Sequence, residues 1–348
     1  MQRIIDFTEI VRQAWRDYDR SRDIKSIDDI SAKVSTNHVY RIKFEDEGTI
    51  IAKLSYFGRY DHFLEDHTII NALAINLPSP YQNFLARSLT KHGNLYAYRY
   101  HDSSLDAWVV FYNPIRVARK PAKKQSEKQI ELLGREVANF HKACNTVKNV
   151  LPPGFKQIGH DIEQLREIMS TDHGKYEYRG YLDEITRQCD LLEENLDKIG
   201  VFSLPSIPVF VDWNIGNFSV TKDYKFYSRW DYDWFRMSSR VLDFYFFSRV
   251  CSSEGDKTVF SYLIDPLMED RFLLFLKSYH EIYPLEEREI FLIREAYRFF
   301  ILNYVIKDGR YFFNEIYASR LQQEAMTSYF PQLDKSFQPQ RLLKSLDL

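Results

Sequence analysis

The chain has 348 residues, 45% of them hydrophobic and 16% aromatic, enough to bury one large core or two and too apolar for a disordered chain. Its formal charge of −2 gives no global attraction to nucleic acid or an anionic membrane, and no apolar run is long enough to span a bilayer. Cys144, Cys189 and Cys251 are far apart and form no CxxC pair. With an N-terminus of mixed acids and bases, they fit reduced, buried thiols in a cytoplasmic protein and exclude a disulfide framework or zinc site.

Residues 4–16 place Ile5, Phe7, Ile10, Val11 and Trp15 at helical spacing, which predicts an opening amphipathic helix. NHVYRIKF and TIIAKLSY, separated by EDEG, read as a hairpin. YDHFLEDHTIINALAIN returns to helical periodicity and is stopped by the prolines of LPSP. NLYAYRY and AWVVFYN read as two more strands. RVARKPAKKQSEK is basic and poor in apolar residues, a linker or solvated segment. QIELLGREVANFHKAC and GYLDEITRQCDLLEENLDKI are helical, FSV and KFYSRW form a second hairpin around TKDY, and VLDFYFFSRV opens a largely helical tail. The organisation is a strand-rich first third joined to a helical remainder that carries one inserted hairpin.

Polar residues stand in a definite order through these elements. Lys53 lies late in the second strand of the first hairpin, and Glu65 or Asp66 on the helix after it. Asp212 and Asn217 occupy the turn of PVFVDWNIGNFSV, and Asp231 ends the second hairpin in RWDYDWF. This order resembles the aminoglycoside phosphotransferase and choline kinase branch of the protein-kinase-like fold. Its catalytic loop usually reads His-Gly-Asp, four residues, Asn, where this chain has Phe210, Val211, Asp212 and Asn217. Its Ile-Asp-Phe strand end corresponds to Trp230, Asp231 and Tyr232, its Asp-Leu-Ala helix start to Leu242, Asp243 and Phe244, and its phosphate-covering hairpin to VSTNHVYRI. The resemblance covers roughly residues 30–250.

The resemblance implies an α+β, two-lobed protein-kinase-like fold. The N-lobe, residues 1–112, would be an antiparallel sheet with one helix, and residues 113–348 a mainly helical C-lobe. ATP would sit with its adenine against backbone groups of the hinge at Phe111, Tyr112 and Asn113, and its phosphates under Ser35, Thr36 and Asn37. Lys53 would hold the α- and β-phosphates, braced by Glu65 or by Asp66. Asn217 and Asp231 would supply oxygens to Mg²⁺, and Asp212 would orient and deprotonate an acceptor hydroxyl. The implied activity is ATP- and Mg²⁺-dependent phosphorylation of a small-molecule hydroxyl, with no nucleic-acid or membrane partner. A protein serine/threonine kinase and a nucleotide-binding pseudokinase of the same fold are the alternatives.

The chain departs from the family pattern in places. Phe210 replaces a histidine that braces the loop, so bracing would come from packing, and Trp213-Asn214 stands where Leu-His is common. The loop at Ser35-Thr36-Asn37 has no glycine, so phosphates would rely on backbone N–H groups and hydroxyls. The ionisable groups are all present, which argues against a degenerate pseudokinase. Asp243 is expected to hold the catalytic loop through backbone hydrogen bonds, His141 to be a core histidine, and Gly216 to let the loop bend. In WDYDWFRM, the alternating Trp230, Tyr232 and Trp234 beside Asp231 and Asp233 read as core packing or as an amine-binding cluster.

Overall fold

The structure is a computed structural model, and it describes residues 6–32, 35–255 and 261–348. Ile5 lies outside the described residues. The opening helix, α1, spans Phe7–Tyr18 and buries Ile10, Val11, Ala14 and Trp15 on one face. It begins where Asp6 accepts the N–H groups of Thr8 (2.9 Å) and Glu9 (3.3 Å), which satisfies two of the free donors of its first turn.

Strands β1 (Ile24–Asp29), β2 (His38–Phe44) and β3 (Thr49–Ser55) precede α2 (Tyr60–Asn76). The short pair β4 (Thr90–Lys91) and β5 (Asn94–Leu95) leads to β6 (Ala97–His101) and β7 (Asp106–Tyr112). The five longer strands form one antiparallel sheet in the order β1-β2-β3-β7-β6. The expected β2–β3 hairpin and α2 are present, the helix ending at LPSP. Strand β1 was not expected, because IKSIDD carries only Ile24 and Ile27 as apolar residues and is held as an edge strand by backbone bonds to β2.

The rest of the chain is mainly helical. It contains α3 (Glu127–Val147), α4 (Ile158–Ser170), α5 (Asp172–Glu177), α6 (Leu182–Ile199), α7 (Phe244–Cys251), α8 (Asp270–Ile282) and α9 (Glu287–Phe300). A π-helical turn, Ile301–Lys307, leads to α10 (Gly309–Phe312), α11 (Glu315–Glu324), α12 (Phe330–Ser336) and α13 (Pro339–Leu346). Between α6 and α7, β8 (Ile207–Val209) pairs with β11 (Arg236–Ser238), and β9 (Phe218–Val220) with β10 (Phe226–Arg229). Helices α3 and α8 pack so closely at Gly134 that a Cβ there would lie 2.6 Å from the Phe275 carbonyl oxygen.

Among the described residues two apolar cores result. One joins α1 to the outer face of the sheet through Trp15, Phe44 and Phe111. The other fills the helical part and takes in Ile69, Ile70 and Leu73 of α2. Helix α2 is therefore anchored to the second core although it follows β3 in sequence, and this decides where its polar residues point. Among the described residues no helix is long and apolar enough to cross a membrane.

Candidate active site

Strand β8 delivers the chain to the loop at Phe210–Asn217. The bend there falls on Val211, at φ +60°, a conformation that strongly disfavours a β-branched residue. Gly216, expected to supply the bend, is not at positive φ, and a Cβ on it would meet nothing within 4 Å. Val211 is held by Asp243, which is fully buried and whose Oδ1 accepts the N–H groups of Phe210 (3.0 Å) and Val211 (2.7 Å). These are the backbone bonds expected of Asp243. Its Oδ2 lies 3.1 Å from His141 Nε2, and His141 Nδ1 lies 2.8 Å from the Tyr279 hydroxyl. His141 is a core residue, as expected, and it also anchors the loop's anchor.

Phe210 packs against Trp213 and Phe235 at centroid distances of 5.7 and 5.4 Å. The Arg229 guanidinium sits in the corner formed by the edge-to-face Phe210 and Trp213 rings, 4.4 and 4.2 Å from their centroids. Its Nη2 donates to the Asp212 carbonyl at 2.8 Å. Packing and a buried arginine thus brace the loop where a histidine is absent.

The Asp212 carboxylate is held at both oxygens. Oδ1 accepts the Asn214 N–H and Oδ2 accepts Asn217 Nδ2, each at 3.0 Å. Burial, and next the negative charge of Asp231, push its pKa up to about 7. Asp231 sits at φ +69° just beyond β10.

Lys53 is buried in β3 and points at Asp231 and Asp233: its Nζ lies 3.2 Å from Asp231 Oδ1 and also pairs with Asp233 Oδ1. Burial disfavours the ammonium, but these two carboxylates outweigh it and keep Lys53 charged. The expected pair with Glu65 or Asp66 is not formed. Glu65 Oε1 accepts the Phe155 N–H at 2.5 Å, and Asp66 pairs with Lys156. The anchoring of α2 in the second core turns both acids toward the 151–157 segment. Its side toward Lys53 is filled by His67, which bonds the Tyr112 hydroxyl; burial, reinforced by the Lys53 charge, lowers its pKa to about 3 and keeps it neutral.

Asp212, Asn217, Asp231 and Asp233 line one chamber of about 160 Å³, with Ser35 above and Trp234, Phe312 and Phe313 on its walls. Its donors are hard oxygens, the type that magnesium takes. The donor types fit such an ion, although among the described residues no group of three or more His, Cys, Asp or Glu side chains is drawn together as a ready-made metal site.

No protein-family model and no curated protein sequence matches this chain. Solved structures match it along nearly its whole length. Amicoumacin kinase hAmiN, in complex with AMP-PNP, Ca²⁺ and Ami, is 13% identical with a TM-score of 0.65, over 97% of each chain. A microcompartment-associated aminopropanol kinase is 16% identical with a TM-score of 0.59, over 94% of this chain and 100% of that one. Choline kinase LicA from Streptococcus pneumoniae is 13% identical with a TM-score of 0.55, over 93% and 99%. The chain has the kinase-like fold of the aminoglycoside phosphotransferases and choline kinases.

In that fold, two expected nucleotide contacts are differently engaged. Leu89 N–H donates to the Phe111 carbonyl (2.8 Å), and Asn113 N–H donates to the Arg87 carbonyl (3.0 Å). The carbonyl keeps a second lone pair, but the Asn113 N–H is committed. The 85–89 segment competes for this strand edge, and the Phe111 ring is buried on the α1 side. At the loop expected to cover phosphates, Thr36 N–H donates to the Phe312 carbonyl at 3.4 Å and its hydroxyl bonds the Tyr311 carbonyl. Asn37 Nδ2 donates to Asp233 Oδ2 at 2.8 Å, and Asn37 N–H donates to Ser35 Oγ at 3.1 Å. The loop is thus seated on residues 311–313 and on Asp233. Asp233, Arg229 and Lys156 were not singled out for these roles. WDYDWFRM placed Asp233 two residues from Asp231, but nothing local to it points at Lys53.

Proposed function

We propose that this chain is a phosphotransferase that moves the γ-phosphoryl group of ATP to a hydroxyl of a small molecule. The observation that carries this reading is one chamber shared by Asp212, Asn217 and Asp231, with Lys53 paired at its edge. An acceptor hydroxyl reaching Asp212 hydrogen-bonds its carboxylate, which Asn214 and Asn217 hold in orientation. The hydroxyl oxygen bonds to phosphorus, the bond from phosphorus to the ADP oxygen breaks, and the hydroxyl proton passes to Asp212. Lys53, already charged and desolvated, exchanges a carboxylate oxygen for phosphate oxygens. Asn217 and Asp231 would hold magnesium, which when bound supplies charge neutralisation at the phosphates. The chamber is walled by Trp234, Phe312 and Phe313, which favours a small organic alcohol over a protein segment.

The test is Lys53→Ala titrated with AMP-PNP by calorimetry. Losing a charge-assisted contact should weaken binding about 10- to 100-fold, with circular dichroism unchanged; unaltered affinity removes Lys53 from the site. A second test is pH. The free enzyme takes a proton on Asp212 as pH falls through about 7, so kcat/KM should fall about tenfold per pH unit below that point. A cation beside Asp231 favours the carboxylate, so the kcat limb should lie at lower pH. A kcat/KM profile that stays flat down to pH 5 would exclude Asp212 as the base.

A further inference from the structure

Residues 35–37, immediately before β2, are joined to residues 311–313 at the end of α10. Ser35 forms an antiparallel bridge with Phe313, the Thr36 N–H donates to the Phe312 carbonyl at 3.4 Å, and the Thr36 hydroxyl donates to the Tyr311 carbonyl. Ser35, Thr36 and Asn37 are all polar, so hydrogen bonds carry this contact. On the other side, Phe312 and Phe313 pack on Trp234 at centroid distances of 5.6 and 6.2 Å. Asn37 extends the network: its Nδ2 donates to Asp233 Oδ2 at 2.8 Å, and its Oδ1 accepts the Ser55 hydroxyl at 2.7 Å. Asp233 Oδ1 pairs with Lys53. One network therefore runs from residues 311–313 through 35–37 and Asp233 to Lys53.

This network engages the donors that a triphosphate would need. Phosphate oxygens accept hydrogen bonds, as do the carboxylates and carbonyls now bonded to Lys53, Thr36 and Asn37, so the two sets compete for the same N–H and O–H groups. The Asp233 carboxylate would also repel phosphate charge. Below the network, Ser35, Phe312 and Phe313 close over Asp212, Asn217 and Asp231 in the chamber of about 160 Å³. Ligand pockets usually measure roughly 300–1,000 Å³. The chamber is too small for the phosphates of a nucleotide and an acceptor together. A few hydrogen bonds exchange with water at small net cost, so this contact can open where an apolar core cannot.

On the phosphotransferase reading above, we propose that residues 35–37, residues 311–313 and Asp233 form a latch that closes the phosphate site, and that the nucleotide's own triphosphate opens it. Asp233 is the group displaced. Phosphate oxygens take Lys53 and the Asn37 amide from it, and residues 35–37 part from 311–313. The closed form excludes nucleotide, so the apparent affinity is the intrinsic affinity scaled by the open fraction. Any change that weakens the latch therefore tightens nucleotide binding. Loss of a phosphate or metal ligand does the opposite.

The sign of the change in affinity tests this, read by calorimetry with AMP-PNP and Mg²⁺ on the full chain. Thr36→Val removes the hydroxyl donor at nearly constant shape, and Asp233→Asn removes the charge that holds Lys53. Each should tighten AMP-PNP binding about threefold to tenfold, the scale of one hydrogen bond. A second measurement joins the latch covalently. Directly opposed residues of an antiparallel pair are close enough for a disulfide, so Ser35→Cys combined with Phe313→Cys should cross-link on mild oxidation. The cross-linked protein should lose AMP-PNP binding and regain it in dithiothreitol; the native cysteines are buried, and the parent treated alike is the control. Unchanged or weaker affinity in either single variant overturns the latch and leaves the phosphotransferase reading standing. So does a cross-linked protein that still binds AMP-PNP, or a folded double variant that does not cross-link. No AMP-PNP binding by the parent or by either single variant overturns the phosphotransferase reading and the latch with it. Binding by Thr36→Val but not by the parent supports both.

Discussion

Asp212→Asn should lower turnover by roughly 10² or more, the scale of losing a general base, while leaving the protein folded and able to bind nucleotide. The substituted amide keeps an oxygen for the Asn214 N–H, now 3.0 Å from Oδ1. On the other side it would set an NH₂ group against Asn217 Nδ2, which lies 3.0 Å from Oδ2, and lose that bond. One hydrogen bond is at stake, about 1 kcal/mol, and the loss of repulsion from Asp231 offsets part of it. AMP-PNP affinity should change little, because on the proposed reading this carboxylate contacts the acceptor and not the nucleotide. Melting temperature, nucleotide affinity and turnover, measured on the same preparation, separate the two roles. A folded, nucleotide-binding Asp212→Asn protein with near-normal turnover would sink the base assignment.

Asp243→Ala should have the largest effect on stability. It leaves the buried N–H groups of Phe210 and Val211 without their carboxylate acceptor and removes one of the two partners of His141, while release of Val211 from its strained φ offsets part of the loss. Breaking a buried, hydrogen-bonded charged group costs roughly 3–5 kcal/mol, far beyond an ordinary surface change. Asp243→Asn keeps an oxygen for the two N–H groups and can donate to the other tautomer of His141, so it should cost well under half as much. Urea unfolding followed by tryptophan fluorescence reads this directly, since Trp213 lies in the same loop. An Asp243→Ala midpoint equal to the parent's would mean that the loop is held by its aromatic packing alone.

Much of the site was legible because its spacing is local. Asp212 and Asn217 are five residues apart in one turn, so their meeting at 3.0 Å needs little beyond that turn. The bounds of α2 followed from periodicity and a proline stop, both properties of a short window. Short-range patterning sets where strands and helices begin, and the order of Lys53, Asp212, Asn217 and Asp231 along them resembles the kinase-like family, which is what implied that fold.

Tertiary structure alone decided the partners. Lys53 meets Asp233 across 180 residues, and it does so because α2 buries Ile69, Ile70 and Leu73 in the second core and carries Glu65 and Asp66 away. The loop bends at Val211 and not at Gly216, because side-chain bonds from Asp243, more than 30 residues on, hold a backbone angle that no local preference would choose. The commitment of the Asn113 N–H and the docking of Thr36 on residues 311–313 likewise depend on segments distant in sequence. Sequence by itself determined which residues could do the chemistry and in what order they stand, because propensity and periodicity act over a few neighbours. Which of them pair was set by how the two cores pack, because ion pairs and hydrogen bonds form only between groups that packing has brought into reach.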